Sequence, residues 1–144
     1  MTHEDAGHYG AKHPAGTSYE PRIAAAIREK AENDKITCAA AHGIAQQLAV
    51  SPLEVGKTID LMEYRLVKCQ LGLFGYSPAK KIVKAAEAVP DALHQLLQDA
   101  AIDEKIGCAA CWGIAQALGI KKTAVSAACE RLGIKIRPCQ LGAF

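Results

Sequence analysis

The stretch KITCAAAHGIAQQLAVS spans residues 35–51, and the closely similar stretch KIGCAACWGIAQALGIK spans residues 105–121. A shift of 70 positions (108 − 38) superimposes the two without a gap, and it also carries Cys69–Gly72 onto Cys139–Gly142. Self-similarity at this spacing indicates two copies of one supersecondary unit. We therefore expect an N-terminal arm over 1–20, a first repeat over 21–76, a linker over 77–89 and a second repeat over 90–144.

Within each copy, apolar residues recur at helical spacing in three segments. Pro21 and Pro90 start the first helix, a β-like Lys-Ile stub follows, and the second helix comes directly after the stub. A three-residue turn, 49–51 or 119–121, then precedes a third helix with apolar residues at i, i+4 and i+7. The segments that lead into Cys69 and Cys139 are β-like and could pair with the stubs. The predicted fold class is mainly α with short β stubs.

The segment between the repeats, SPAKKIVKAAEAV, also has a helical pattern. Ser77 is a candidate N-cap, Pro78 suits the first helical position, and Ile82, Val83 and Ala86 fall on one side. We predict a helical linker over 77–89.

Composition excludes several classes of protein. The chain has 144 residues, of which 50% are hydrophobic and 22% charged, so a folded core is expected rather than general disorder. No stretch reaches 18 uninterrupted apolar residues, and the first residues carry acids and histidines, so we expect a cytoplasmic protein without a membrane partner. Aromatic residues amount to 5%, too few for a module that stacks single-stranded bases.

The strings IAQQLAVSPLEVGKTIDLMEYRLV and IAQALGIKKTAVSAACERLGIKI resemble the helix-turn-helix core of bacterial transcription regulators of the winged-helix type. The resemblance covers most of the chain after residue 20. It implies two tandem winged-helix-like (helix-turn-helix) repeats, with a reduced wing around the Cys-Gln-Leu-Gly of each copy. It also implies that a third helix enters the major groove of double-stranded DNA, where its exposed residues reach base edges.

On this basis the second repeat is the better candidate for DNA binding. Its charges from Asp103 to Phe144 are six basic and three acidic, whereas those from Asp34 to Tyr76 are four basic and four acidic. Small hydroxyl and methyl groups on the third helix would allow close approach to the groove. The predicted nucleic-acid-binding residues are Lys121, Lys122, Thr123, Ser126, Arg131, Lys135 and Arg137 in the second repeat, and Lys57 in the first.

The third helix of the first repeat suits a protein contact better than DNA. Leu53 and Leu61 occupy positions that are expected to be exposed, and they could contact a second copy of the chain or another protein. Two functions therefore stay open: a DNA-binding transcriptional regulator, or an interaction scaffold of the same fold that binds no DNA.

The cysteines suggest a third function, a thiol- or metal-responsive regulator. Four of them, Cys108, Cys111, Cys129 and Cys139, could supply a tetrahedral metal site. Cys111 and Cys129 align with Ala41 and Ile59, however, which favours ordinary core positions. Two pairs recur in both copies, and each could be a redox pair or two buried thiols: Cys38 with Cys69, and Cys108 with Cys139.

Neither the histidines nor a search for enzyme motifs indicates a metal site or a catalytic site. His3, His8 and His13 are spaced by five residues in a Gly-rich tail, a spacing that fits an irregular arm better than a metal site. The sequence contains no GxGxxG, GxxxxGK, HExxH or GxSxG motif, so we expect neither an enzyme nor a bound cofactor.

Overall fold

The computed structural model describes residues 8–144, and in this range the protein is mainly α-helical, as predicted. A short 3-10 helix spans Tyr9–Lys12. The α-helices are α1 (Pro21–Lys30), α2 (Cys38–Leu48), α3 (Pro52–Leu61), α4 (Asp91–Ala100), α5 (Cys108–Leu118) and α6 (Lys122–Leu132). The strands are β1 (Lys35–Thr37), β2 (Arg65–Val67), β3 (Lys105–Ile106) and β4 (Lys135–Ile136).

The order of elements repeats along the chain, as the duplicated sequence predicts. The series α1–β1–α2–α3–β2 is followed by α4–β3–α5–α6–β4. In each half the strand after the third helix pairs in parallel with the strand before the second, with Ile36 opposite Leu66 and Ile106 opposite Ile136. The predicted pairing of stub and final strand is therefore confirmed.

Local sequence explains where the second and third helices begin and end. Thr37 Oγ1 accepts the Ala40 N–H at 3.1 Å and caps α2, while Ser51 Oγ accepts the Glu54 N–H at 3.2 Å and caps α3. The second helix of each half ends in a left-handed residue, Ala49 in one case and Gly119 in the other. Glycine adopts that conformation at lower cost, so α5 ends more favourably than α2.

The chain forms two compact units whose boundaries differ from those of the repeats. Unit 1 contains the chain up to Cys69 together with Leu141–Phe144, and unit 2 contains Gln70–Gln140. The first repeat's Gln-Leu-Gly segment thus belongs to unit 2, while Leu141 of the second repeat belongs to unit 1. Each unit is completed by a segment that the sequence repeat assigns to the other copy.

Each unit has its own apolar core, built mostly from the predicted helical positions. In unit 1 the largest fully buried side chains are Ile23, Ile27, Ile36, Ile44, Val55, Ile59, Leu66 and Leu141. In unit 2 they are Leu71, Leu97 and Ile106. Leu71 and Leu141, the leucines of the two Gln-Leu-Gly segments, are therefore core residues.

The Gln-Leu-Gly segments do not form the reduced wing that the resemblance implies. Each described strand pairs with one other strand only, and no hairpin follows β2 or β4. After β2 the chain turns at Gly72, whose φ is +74°, and the Gly72 carbonyl accepts the N–H groups of Ile82 and Val83 at 2.9 and 3.2 Å. The segment is held by these bonds and by burial of Leu71 instead of by a second strand.

The prediction of a helical linker over 77–89 is wrong, because this segment has no helix. Its N–H groups have acceptors elsewhere in unit 2: those of Ile82 and Val83 bond to Gly72, and that of Ala86 bonds to the Ala127 carbonyl at 3.0 Å. These tertiary bonds replace the i−4 bonds that a helix would make. Val83, Ala86 and Val89 of this irregular segment are half-buried, whereas Ile82 is exposed.

No helix among residues 8–144 combines the length and the apolar character needed to cross a membrane.

Candidate nucleic-acid interface

The predicted nucleic-acid-binding residues of unit 2 gather around the start of α6. Lys121 is the exposed N-cap residue, and Lys122 and Thr123 are the half-buried first residues of the helix. Lys122 Nζ lies 4.6 Å from the ring centre of Trp112 on α5, a cation–π distance. This contact orients the Lys122 ammonium group, whereas Lys121 extends from the turn that follows α5.

Ser126 is buried, contrary to the prediction that it faces the groove. Its exposed fraction is 0%, and its hydroxyl donates to the Leu71 carbonyl at 2.6 Å. Because Leu71 lies far from Ser126 in sequence, the periodicity of α6 alone could not show that this side of the helix is covered. Ser126 is thus unable to contact a base edge in this structure.

Residues 80–86 form a covering segment that contacts a second part of α6. Lys81 is hydrogen-bonded to Glu130, and the Ala86 N–H bonds to the Ala127 carbonyl. Lys81 therefore pairs with an exposed acidic residue of α6. An uncovered stripe remains, formed by the exposed residues Lys121, Ala124 and Arg131.

The remaining predicted basic residues of unit 2 are also exposed. Lys135 lies on β4, and Arg137 follows it directly. Three further exposed lysines on the covering segment were not predicted as candidates: Lys80, Lys81 and Lys84. A signal was present in the cluster AKKIVK, but a helical interpretation assigned it to a linker.

Charge differs between the two units. Unit 2 carries nine basic and six acidic side chains, a net charge of +3, whereas unit 1 carries eight basic and nine acidic, a net charge of −1. The basic excess therefore lies in unit 2, together with seven of the eight predicted nucleic-acid-binding residues.

Lys57, the eighth of these residues, is half-buried on α3 of unit 1. Its Nζ lies 2.8 Å from Glu54 Oε2, one turn earlier on the same helix. An adjacent carboxylate neutralises this lysine, so it is a weaker phosphate ligand than the lysines at the start of α6.

Two segments cover the outer face of α3. The Leu141 backbone packs so closely against Gly56 that a Cβ there would lie 2.6 Å from the Leu141 carbonyl carbon. The N-terminal arm binds near the helix end, where Glu63 Oε2 and Oε1 accept the N–H groups of Tyr9 and Gly10 at 2.9 and 2.6 Å. Tyr9 is 2% exposed, so the start of the described arm packs against α3, whereas most of residues 14–20 are exposed.

The arm also neutralises a buried acid on α3. Asp60 is 1% exposed, and its Oδ2 lies 2.8 Å from His13 Nε2 and 3.4 Å from Lys12 Nζ. Burial raises the pKa of Asp60, while the bonds to His13 and Lys12 act in the opposite direction. Asp60 Oδ1 is buried without a hydrogen-bond partner in the described part of the chain.

The leucines predicted to contact a partner differ in exposure. Leu53 is 60% exposed near the start of α3, whereas Leu61 is half-buried at its end. Leu53 is therefore the stronger candidate for a protein contact on unit 1.

The six cysteines are buried and form no disulfide bond. No group of three or more histidine, cysteine or acidic side chains within residues 8–144 is arranged to hold a metal ion, so the four-cysteine site of the second repeat is not assembled. The recurrent pairs flank the parallel strands: Cys38 and Cys108 follow β1 and β3, and Cys69 and Cys139 follow β2 and β4. Whether either pair responds to oxidation stays a prediction.

A thiol contact that sequence analysis did not pair joins α5 to α6. A hydrogen bond to Cys129 raises the pKa of Cys111, as does burial, and the same bond lowers the pKa of Cys129. Both side chains are at most 1% exposed, so they are shielded core groups. The aligned residues Ala41 and Ile59 occupy the same core positions in unit 1.

The histidines of the arm do not form a common site in the described structure. His8 is exposed, His13 bonds to Asp60, and His3 lies outside the described residues.

No family model, no curated protein and no solved structure matches this chain.

Proposed function

We propose that the protein binds double-stranded DNA through unit 2 and acts as a transcriptional regulator, with each repeat a helix-turn-helix unit. One observation carries the proposal. On α6, which follows α5 after a three-residue turn, an uncovered stripe presents two basic residues, Lys121 and Arg131, on either side of the small Ala124. A helix of this kind can approach a groove closely while basic residues at its ends contact phosphates.

Different residues along α6 are suited to contact phosphates and base edges. Lys121 and Arg131 are ten residues apart, or about 15 Å along the helix, so they would contact phosphates at separate points. Lys122 is held by Trp112 at the start of the helix, and Lys135 and Arg137 add basic side chains after its end. Thr123 and Ala124 are the residues placed to meet base edges, whereas Ser126 supports the helix from its covered side.

The covering segment strengthens this surface electrostatically. Lys81 neutralises Glu130, and Lys80 and Lys84 are exposed on the same segment. Basic side chains near α6 would add to the counterion release that drives binding to duplex DNA.

A second candidate function, a protein-interaction scaffold, is favoured by unit 1. Its third helix is covered by the arm and by Leu141, its net charge is −1, and Leu53 is 60% exposed. These features suit contact with a second copy or another protein better than contact with DNA. The two functions are compatible in one chain, since they use different units.

The test is a titration of the reduced protein against a fluorescent mixed-sequence duplex at two salt concentrations. We expect affinity to fall steeply with salt, and the double variant Lys122→Ala/Arg131→Ala to lower the slope of log K against log[salt] by about 2, one phosphate contact per residue. A matched control is Arg28→Ala/Lys30→Ala, which removes two exposed basic residues from α1 of unit 1.

The titration tests DNA binding, and a measurement of self-association tests the scaffold function. Failure of the folded protein to bind duplex at low salt, or equal slopes for the Lys122/Arg131 variant and the wild type, would reject DNA binding through α6. The scaffold function would then be pursued by measuring self-association of the wild type and of Leu53→Asp.

A further inference from the structure

A hollow of about 370 Å³ lies beside the start of α6 in unit 2. Its volume is within the range of small-molecule sites in proteins. Residues from α5, from the turn after it and from the first residues of α6 surround it: Trp112, Ala115, Gln116, Ile120, Lys121 and Lys122.

The lining combines apolar and cationic groups. Trp112, Ala115 and Ile120 supply apolar surface, Lys121 and Lys122 supply two ammonium groups, and no lining residue is acidic. Lys122 is oriented because its Nζ lies over the Trp112 ring. A hollow of this chemistry favours a ligand that has an apolar body and a negative charge.

The equivalent place in unit 1 has different chemistry, and the contrast supports an external anion. There the N-cap residue is Ser51, which caps α3, and Glu54 supplies an acid in the first turn. In unit 2 these positions hold Lys121, which makes no side-chain cap, and Ala124. The positive end of α6 therefore lacks the internal oxygen ligands that satisfy α3, and two cationic side chains lie next to it.

We infer that this hollow binds a small organic anion, a monocarboxylate with a ring-sized apolar body. The carboxylate pairs with Lys121 and Lys122 at the start of α6, and the apolar body lies against Trp112 and Ile120. Lys121 and Lys122 are also predicted DNA contacts, whereas Trp112 and Ile120 are not.

Phenylacetate is a suitable probe, because Trp112 is the single tryptophan of the chain and reports directly on the hollow. We expect phenylacetate to change Trp112 emission in a saturable way in the full-length, reduced protein without DNA. Phenylacetamide, which has the same ring and no charge, should bind at least about tenfold more weakly.

Two variants locate the site. Lys121→Gln/Lys122→Gln should weaken phenylacetate binding by about tenfold or more, while Lys105→Gln, which removes an exposed lysine outside both the hollow and the predicted DNA contacts, should leave the affinity unchanged. Circular dichroism establishes that each variant is folded. Equal responses to phenylacetate and phenylacetamide, no saturable response, or equal affinity in the double glutamine variant and the wild type would overturn the inference.

A further consequence rests on the proposed function, because Lys121 and Lys122 belong both to the hollow and to the proposed DNA surface. Duplex and phenylacetate should therefore compete for the protein. The phenylacetate titration without DNA tests ligand binding in the hollow even if the protein does not bind duplex. Failure of one proposal is therefore distinguishable from failure of the other.

Discussion

Gly56 and Ser126 occupy equivalent positions in α3 and α6, and both meet the backbone of a Gln-Leu-Gly segment. At Gly56 the approach is so close that any side chain would overlap the Leu141 carbonyl group. At Ser126 a Cβ is accommodated, and the hydroxyl donates to the Leu71 carbonyl at 2.6 Å. The same contact is thus made by removing a side chain in one unit and by hydrogen bonding in the other.

Replacement of Gly56 by a larger residue should therefore destabilise the folded protein. We expect Gly56→Ala to lower the free energy of unfolding by about 2 kcal/mol or more, because the overlap is with backbone that must move as a whole. Gly43→Ala is the matched control: this glycine lies in α2 with nothing within 4 Å of its Cβ position, so alanine should raise stability by about 0.5–1 kcal/mol.

Urea unfolding of both variants measures the difference. A Gly56→Ala protein as stable as the Gly43→Ala protein would contradict the close packing of Leu141 on α3.

At the scale of elements, the arm and α3 are joined mainly through acids near the end of the helix. Asp60 and Glu63 lie where the helix dipole disfavours negative charge, and the arm supplies Lys12, His13 and two backbone N–H groups to them. The arm therefore offsets an unfavourable charge distribution in α3, besides burying Tyr9.

This arrangement predicts a pH-dependent contribution from Asp60. Because burial raises its pKa above the usual 3.8, the stability that this shift provides is fully present below pH 3.8 and is lost as pH rises through the raised pKa. The free energy of unfolding of the wild type, relative to Asp60→Asn, should thus decline as pH rises from below 3.8 towards neutrality.

Urea unfolding of the two proteins across this pH range measures the difference. Glu29→Gln, which changes an exposed acid of α1, corrects for the loss of one negative charge. A difference that grows with pH would show that the bonds to His13 and Lys12 outweigh the effect of burial.

Several elements could be predicted from sequence because their determinants are local. The repeated apolar spacing, the capping residues and the turn after the second helix are adjacent in the chain, and the helices and parallel strands follow from them. The linker and Ser126 could not be predicted in the same way. Their environment depends on Leu71, Gly72 and Ala127 as tertiary partners, so their periodicity suggested a free helix and an exposed face.

For the molecule as a whole, the unit of sequence and the unit of packing differ. The repeats span 21–76 and 90–144 in sequence, but residues 70–72 belong to unit 2 and Leu141–Phe144 to unit 1. Leu141 is 1% exposed within unit 1, and burial of a leucine contributes about 1.5–3 kcal/mol.

A full chain shortened by deletion of Leu141–Phe144 should therefore lose stability in unit 1. We expect hydrogen exchange followed by mass spectrometry to show reduced protection of α3, with protection of α6 retained, although the deleted residues belong to the second repeat in sequence. Reduced protection of α6 with α3 unchanged would contradict the assignment of Leu141–Phe144 to unit 1.

The placement of Leu141 in unit 1 also affects when unit 1 can finish folding during synthesis of the chain. Leu141 contacts Gly56 across 85 positions of chain (141 − 56), so the unit that leaves the ribosome first is completed by residues made after the other unit. Domains commonly fold as they emerge, from the N-terminus onwards. While unit 2 is being translated, the surface of α3 that Leu141 covers in the folded protein therefore remains uncovered.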